Sequence, residues 1–120
     1  MGRRYFRSVD DPEKAVEEYL DWCSEAGTPA RATELAGWFD VSLRTLQRRL
    51  QSRATNLTAF LRAAQVRRLK ELLIETELSL VDIARLAGFG TTRHLLRRIK
   101  EEFGVTTSEL RRVKGRDLSS

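Results

Sequence analysis

A chain of 120 residues, 41% hydrophobic and with only 7 glycines and 2 prolines, suits one compact domain or two small ones sharing a helix, and argues against both wholesale disorder and an all-β fold. No apolar run approaches the roughly 20 residues of a membrane span, and no charged-apolar-small leader is legible at the start. The lone Cys23 excludes an internal disulfide or a multi-cysteine zinc site and suits a reducing cytosol, while the net charge of +5 conceals an asymmetry: residues 1–41 hold five basic and nine acidic side chains, residues 42–120 seventeen and eight. Basic charge gathered on one part of a fold implies a polyanionic partner, and arginine, with eighteen of the twenty-two cations, has the fork that suits phosphates and guanine edges.

Residues 1–11 open with the basic-aromatic cluster Arg3, Arg4, Tyr5, Phe6 and Arg7 and are expected to form a flexible basic arm. Asp10 or Asp11 before Pro12 predicts a helix start, and the helix runs to about Glu25 with Val16, Tyr19, Leu20 and Cys23 on its inner face. Glu17, Glu18, Asp21 and Glu25 give it an acidic outer face, expected to point away from nucleic acid. Thr33 is expected to cap a helix over Glu34–Phe39 with Leu35, Ala36, Trp38 and Phe39 mostly inward, and Asp40 occupies the turn that follows. Ser42 caps SLRTLQRRLQ, in which Leu43, Leu46 and Leu50 make an inner stripe and Arg44, Gln47, Arg48 and Gln51 an outer one; arginine and glutamine pair bidentately with guanine and adenine.

After a loop over Ser52–Asn56, Leu57 to about Glu75 reads as the longest helix, 19 residues or roughly 28 Å, close to the roughly 34 Å between major-groove faces on one side of B-DNA. Ser79 caps the next helix, with Asp82 completing a capping-box-like pair; Leu80, Ile83, Ala84 and Leu86 or Ala87 form its buried stripe, and Gly88 ends it. Thr91 or Thr92 caps a further helix whose Leu95, Leu96 and Ile99 face inward and whose Arg93, Arg97, Arg98 and Lys100 face out. A short helix from about Thr107 or Ser108 through Arg112 and a frayed tail complete the chain.

Two short helices around a tight turn, the second of them basic, have the shape of a helix-turn-helix, and the pattern occurs twice. Glu34-Leu35-Ala36 falls on Asp82-Ile83-Ala84 at an offset of 48, and Leu46, Arg48, Arg49 and Leu50 fall on Leu95, Arg97, Arg98 and Ile99 at 49, an internal repeat of period near 50. The expected fold is all-α: two helix-turn-helix subdomains (12–56 and 76–120) joined by a long linker helix (57–75), about seven helices in all.

These residues resemble the DNA-binding domain of AraC/XylS-type transcription regulators over roughly residues 12–113. Ile83, Ala84, Gly88, Phe89, His94, Arg97, Phe103, Gly104 and Arg111 stand at the positions of that family's most specific motif, and Ala36, Ser42, Leu46, Gln47 and Arg48 support the first half. The sequence departs from the family pattern in a shorter, glycine-free loop before Asn56, in Leu69 for alanine, in Leu95 and Ile99 for aromatics, and in Thr107 for proline. The resemblance implies a bilobed helical fold in which each lobe places one helix, about 42–51 and 92–101, in the major groove of double-stranded DNA. It assigns base contacts to Arg44, Gln47, Arg48, Thr92, Arg93, Leu96 and Arg97, and the reading adds phosphate contacts from Ser42, Thr45, Arg49, Thr91, His94, Arg98 and Lys100. It further implies a cytoplasmic, nucleoid-associated bacterial regulator that acts on DNA as a monomer, touches RNA polymerase and needs no cofactor, metal or membrane. Nothing in the 120 residues reads as a sensor domain, so the chain is expected to be either a stand-alone regulator or a fragment.

Three other functions compete. Catalysis lacks residues: His94 is the only histidine, Cys23 is far from it in sequence, and no glycine-rich phosphate loop exists. A protein-interaction module would use the acidic first helix. An architectural, low-specificity DNA binder would use the same basic helices without reading bases.

Overall fold

The computed structural model of the chain describes residues 12–39 and 42–109, which are helical throughout apart from turns and loops, with no strand. The expectations for the basic arm, for a cap at Asp10 or Asp11, for Asp40 in the first turn, for Arg111 and for the tail lie outside the described residues. Helix α1 (Pro12–Ala26) starts on proline, whose fixed φ suits a first turn, and ends at Gly27 with φ +71. The amide of Thr28 then donates to the Cys23 carbonyl (3.1 Å), closing the last turn in the Schellman manner. Its inner stripe of Val16, Tyr19, Leu20 and Cys23 is completely buried, as the spacing requires.

The next segment corrects the sequence reading. Helix α2 (Ala32–Leu35) is a single turn that tightens into a 3₁₀ turn at Ala36–Trp38, and its N-cap is Arg31, with Thr33 inside the helix. No side chain caps it directly. The Tyr19 hydroxyl instead accepts the Arg31 N–H (2.8 Å) and donates to the Glu34 carboxylate (2.8 Å), so the start is held by a tertiary contact. Gly37 weakens helix propensity where the turn tightens.

Helices α3 (Leu43–Gln51), α4 (Leu57–Glu75), α5 (Leu80–Leu86) and α6 (Thr92–Phe103) follow, each opened by a short polar cap: Ser42, Asn56, Ser79 and Thr91 accept the N–H of Thr45, Ala59, Asp82 and His94. Residues 107–109 begin a further helix behind a reciprocal capping box, in which Thr106 N–H donates to Glu109 (2.8 Å) and Glu109 N–H to the Thr106 hydroxyl (3.3 Å). In the loop before α4, Ala54 sits at φ +59, where glycine is the ordinary choice.

The buried residues form two clusters. Helix α4 contributes Leu61 and Ala64 to one, with α1, α2 and its 3₁₀ turn, Phe39 and α3, and Leu69 and Leu73 to the other, with α5 and α6. At 3.6 residues per turn these two pairs face directions roughly a third of a turn apart, so α4 has no single apolar stripe. Fully burying each of its leucines is worth about 1.5–3 kcal/mol.

The clusters are joined by a polar seam. The Gln65 amide donates to the carbonyls of Ala87 (3.2 Å) and Gly88 (2.9 Å), and the Ala30 amide also donates to Gly88 (2.9 Å). Arg68 donates to the Leu86 carbonyl (3.2 Å), pairs with Asp21 (3.1 Å) and forms a close ion pair with Glu17, which also takes Arg67 (3.3 Å). Arg85 reaches the Ser24 hydroxyl (3.3 Å). The acidic face of α1 is thus not turned wholly outward as expected: Glu17 and Asp21 close on α4, whose arginines draw them in.

Candidate nucleic-acid interface

Helices α3 and α6 are built alike. Ser42 Oγ accepts the Thr45 N–H (3.1 Å), and 49 positions on Thr91 Oγ1 accepts the His94 N–H (3.2 Å). Leu46 and Leu50 are buried in one helix, Leu95 and Ile99 in the other, which fixes the opposite faces toward solvent. On α3 those faces carry Arg44, Gln47, Arg48, Arg49 and Gln51; on α6 they carry Arg93, His94, Leu96, Arg97 and Lys100, all exposed. Thr92 is half-buried, and Ser42 also donates to Thr45 Oγ1 (3.0 Å), so these two candidate phosphate contacts are linked to each other.

Two expectations about the stripes need correction. Leu43 is 53% exposed and Leu96 42%, whereas both were expected to face inward. A helical side chain covers the turn N-terminal to itself, and Leu43, as the first residue of α3, has no such turn beneath it. Arg98 is half-buried instead of free: it pairs with Glu101 (3.0 Å) and Glu102 (3.7 Å), carboxylates that also hold Arg62 of α4 (3.5 and 3.2 Å).

Charge sorts the arginines into two groups. Arg53, Arg62, Arg67, Arg68, Arg85 and Arg98 each meet a carboxylate. Among the described residues, no ion pair engages Arg44, Arg48, Arg93 or Arg97. Guanidiniums left in water on two helix faces are available to an external polyanion. Beside them an open hollow of about 420 Å³ runs from the end of α3 to the start of α4, lined by Gln47, Gln51, Thr55, Asn56, Leu57 and Thr58. The seam residues Glu17, Gln65 and Arg68 were missed by sequence reasoning, because no local pattern marks a contact between residues 23 to 51 positions apart.

Two groups away from this surface have altered acidity. Burial pushes the Cys23 thiol up to about 11, and burial also raises the Tyr19 phenol, against the lowering effect of its Arg31 backbone contact. Both are packing groups of the first core. Among the described residues no cluster of three metal-ligating side chains occurs, and no helix is long and apolar enough to cross a membrane.

A duplicated helix-turn-helix with solvent-facing arginines on each second helix defines a DNA-binding class of protein. A family model described as a helix-turn-helix domain matches residues 35–113. The chain is similar to the HTH-type transcriptional activators RhaS of Yersinia pestis (strain Pestoides F) and Yersinia pseudotuberculosis serotype O:1b (strain IP 31758), each 33% identical over 105 residues, or 85% of this chain. It spans 38% of the length of those curated relatives. The solved structure of the xylose-binding transcription activator xylR shares the fold, with a TM-score of 0.65 and 21% identity over 90% of this chain and 28% of that one. This chain belongs to the AraC/XylS family of helix-turn-helix DNA-binding proteins.

Proposed function

We propose that the chain is the sequence-reading part of a transcription activator that lays α3 and α6 into adjacent major grooves on one side of double-stranded DNA. The observation that carries this reading is that, among the described residues, no ion pair engages Arg44 and Arg48 of α3 or Arg93 and Arg97 of α6, whereas Arg53, Arg62, Arg67, Arg68 and Arg85 each meet a carboxylate. In this reading Arg44, Gln47 and Arg48 face the bases of one half-site and Thr92, Arg93, Leu96 and Arg97 those of the other. Ser42, Thr45, Arg49, Thr91, His94 and Lys100 flank the phosphates, and Arg98 joins them on exchanging a carboxylate for a phosphate. The 19-residue α4, roughly 28 Å long, supplies a spacing near that of successive major grooves. Activation is the role named for the relatives; we further propose that the chain binds DNA as a monomer in the bacterial cytoplasm and touches RNA polymerase.

Selecting bound duplexes from a random library tests this directly. Two enriched blocks about one helical turn apart are expected, with affinity for the selected site falling steeply with salt as roughly 6–10 phosphates shed counterions. A bound pool without enriched blocks would overturn base reading in favour of architectural binding.

A further inference from the structure

We infer that Leu43 is a specificity residue of the first half-site, packing against the 5-methyl group of a thymine in the major groove. The inference rests on the proposed placement of α3 and deepens it. Among the described residues only three large apolar side chains are notably exposed, and two of them, Leu43 and Leu96, lie on the two helices with unpaired arginines. Leu43 is the first residue of α3, next to Arg44 and one helical turn before Gln47, both exposed. Its Cα–Cβ bond tilts toward the helix N-terminus, so the side chain projects off the tip of α3. The N-terminal residues of a recognition helix are those brought nearest the base edges.

An isobutyl group has no hydrogen bond to offer there. Of the groups on the major-groove floor, only the thymine methyl is apolar, so it is the partner that gains by excluding water from Leu43. The internal repeat makes the feature particular to this half: 49 positions on, the equivalent of Leu43 is the polar, half-buried Thr92. The two helices would therefore prefer different base types at corresponding positions, consistent with an asymmetric site.

The test replaces thymine by deoxyuridine, one position at a time, in the selected duplex, which removes the methyl and leaves the pairing edge intact. Binding is measured for the parent chain, Leu43→Ala and Leu96→Ala. One substitution in the first half-site is expected to weaken the parent about fourfold, the worth of one methyl withdrawn from water. Leu43→Ala should bind both duplexes equally at that position, while Leu96→Ala keeps the fourfold difference. If the parent prefers the selected duplex to a random one yet no position couples to Leu43, this inference alone fails. If the parent shows no such preference, the proposed base reading fails with it. Should Leu43→Ala not fold, the parent's own response still decides: no sensitive thymine in the first half-site overturns the inference.

Discussion

The side-chain amide of Gln65 donates to the main-chain carbonyl of Gly88 at 2.9 Å, tying the midpoint of α4 to the turn of the second helix-turn-helix. That turn has little room. A Cβ on Gly88 would meet Leu20 Cδ2 at 3.0 Å, the Ala30 Cβ at 3.1 Å and Gln65 Nε2 at 3.2 Å, at a φ of +81. Gly88→Ala should destabilise the protein by about 2–4 kcal/mol, left-handed strain adding to overpacking. Gly37, with ordinary φ and open space around it, offers the opposite outcome: Gly37→Ala should stabilise by about 0.5–1 kcal/mol. Urea midpoints of the two variants check both signs.

The seam also determines how the molecule unfolds. Both tryptophans, Trp22 and Trp38, lie in the first cluster, with ring centroids 5.9 Å apart, whereas far-UV circular dichroism senses every helix. In the parent the two signals should change together in urea. Arg68→Ala removes the donor to Leu86 and the partner of Glu17 and Asp21, at a cost of about 2 kcal/mol. In that variant the dichroism should begin to fall before the fluorescence, as the second cluster loosens first. Coincident curves would show that the hydrophobic continuity of α4 suffices to couple the lobes.

Alkaline pH should weaken the first core. Cys23 and Tyr19 both hold their protons more tightly when folded, Cys23 at about 11 against an ordinary 9.0. The Cys23 contribution is therefore intact below about pH 9 and lost as pH rises through 11, while the Tyr19 contribution begins to fall only above the ordinary phenol value of 10.0. Stability measured at pH 8 and again at 10.5 should drop by about 2 kcal/mol. Cys23→Ala, less stable at neutral pH, should show a shallower decline, with the Tyr19 share remaining. The buried thiol should also resist alkylation at pH 8 until the protein unfolds.

The division among the arginines yields a direct comparison on DNA. Arg48→Ala and Arg97→Ala should each cost about 1–3 kcal/mol on the selected site and relax preference at particular bases. Arg67→Ala, which removes a guanidinium already held by Glu17, should leave base preference unchanged. Competition titrations against single-base variants of the site separate the two behaviours. Equal effects from all three would mean that only overall charge is sensed.

Much of this architecture was legible wherever the determinants are local. The helical pattern after the Ser52–Asn56 loop located α4 at Leu57 to about Glu75, and Ser42, Ser79 and one of Thr91 or Thr92 announced three more starts through a hydroxyl that reaches an amide three residues on; the Asn56 cap itself came only with the structure. The outward faces of α3 and α6 followed from the burial of Leu46, Leu50, Leu95 and Ile99. What the sequence hid depends on distant partners or on helix ends. The cap of α2 is a tyrosine hydroxyl from another helix, Glu17 answers an arginine 51 positions away, and Leu43 escapes the core because it begins its helix.

Helix α4 belongs to both hydrophobic clusters at once, and this limits how such a protein can acquire a new target. Recombination between two relatives within 57–75 would join half of one packing surface to half of another and misfit both. On the proposed reading, exchange of whole halves is therefore a poor route to new operators, and variation at the water-facing positions of α3 and α6 is the open one.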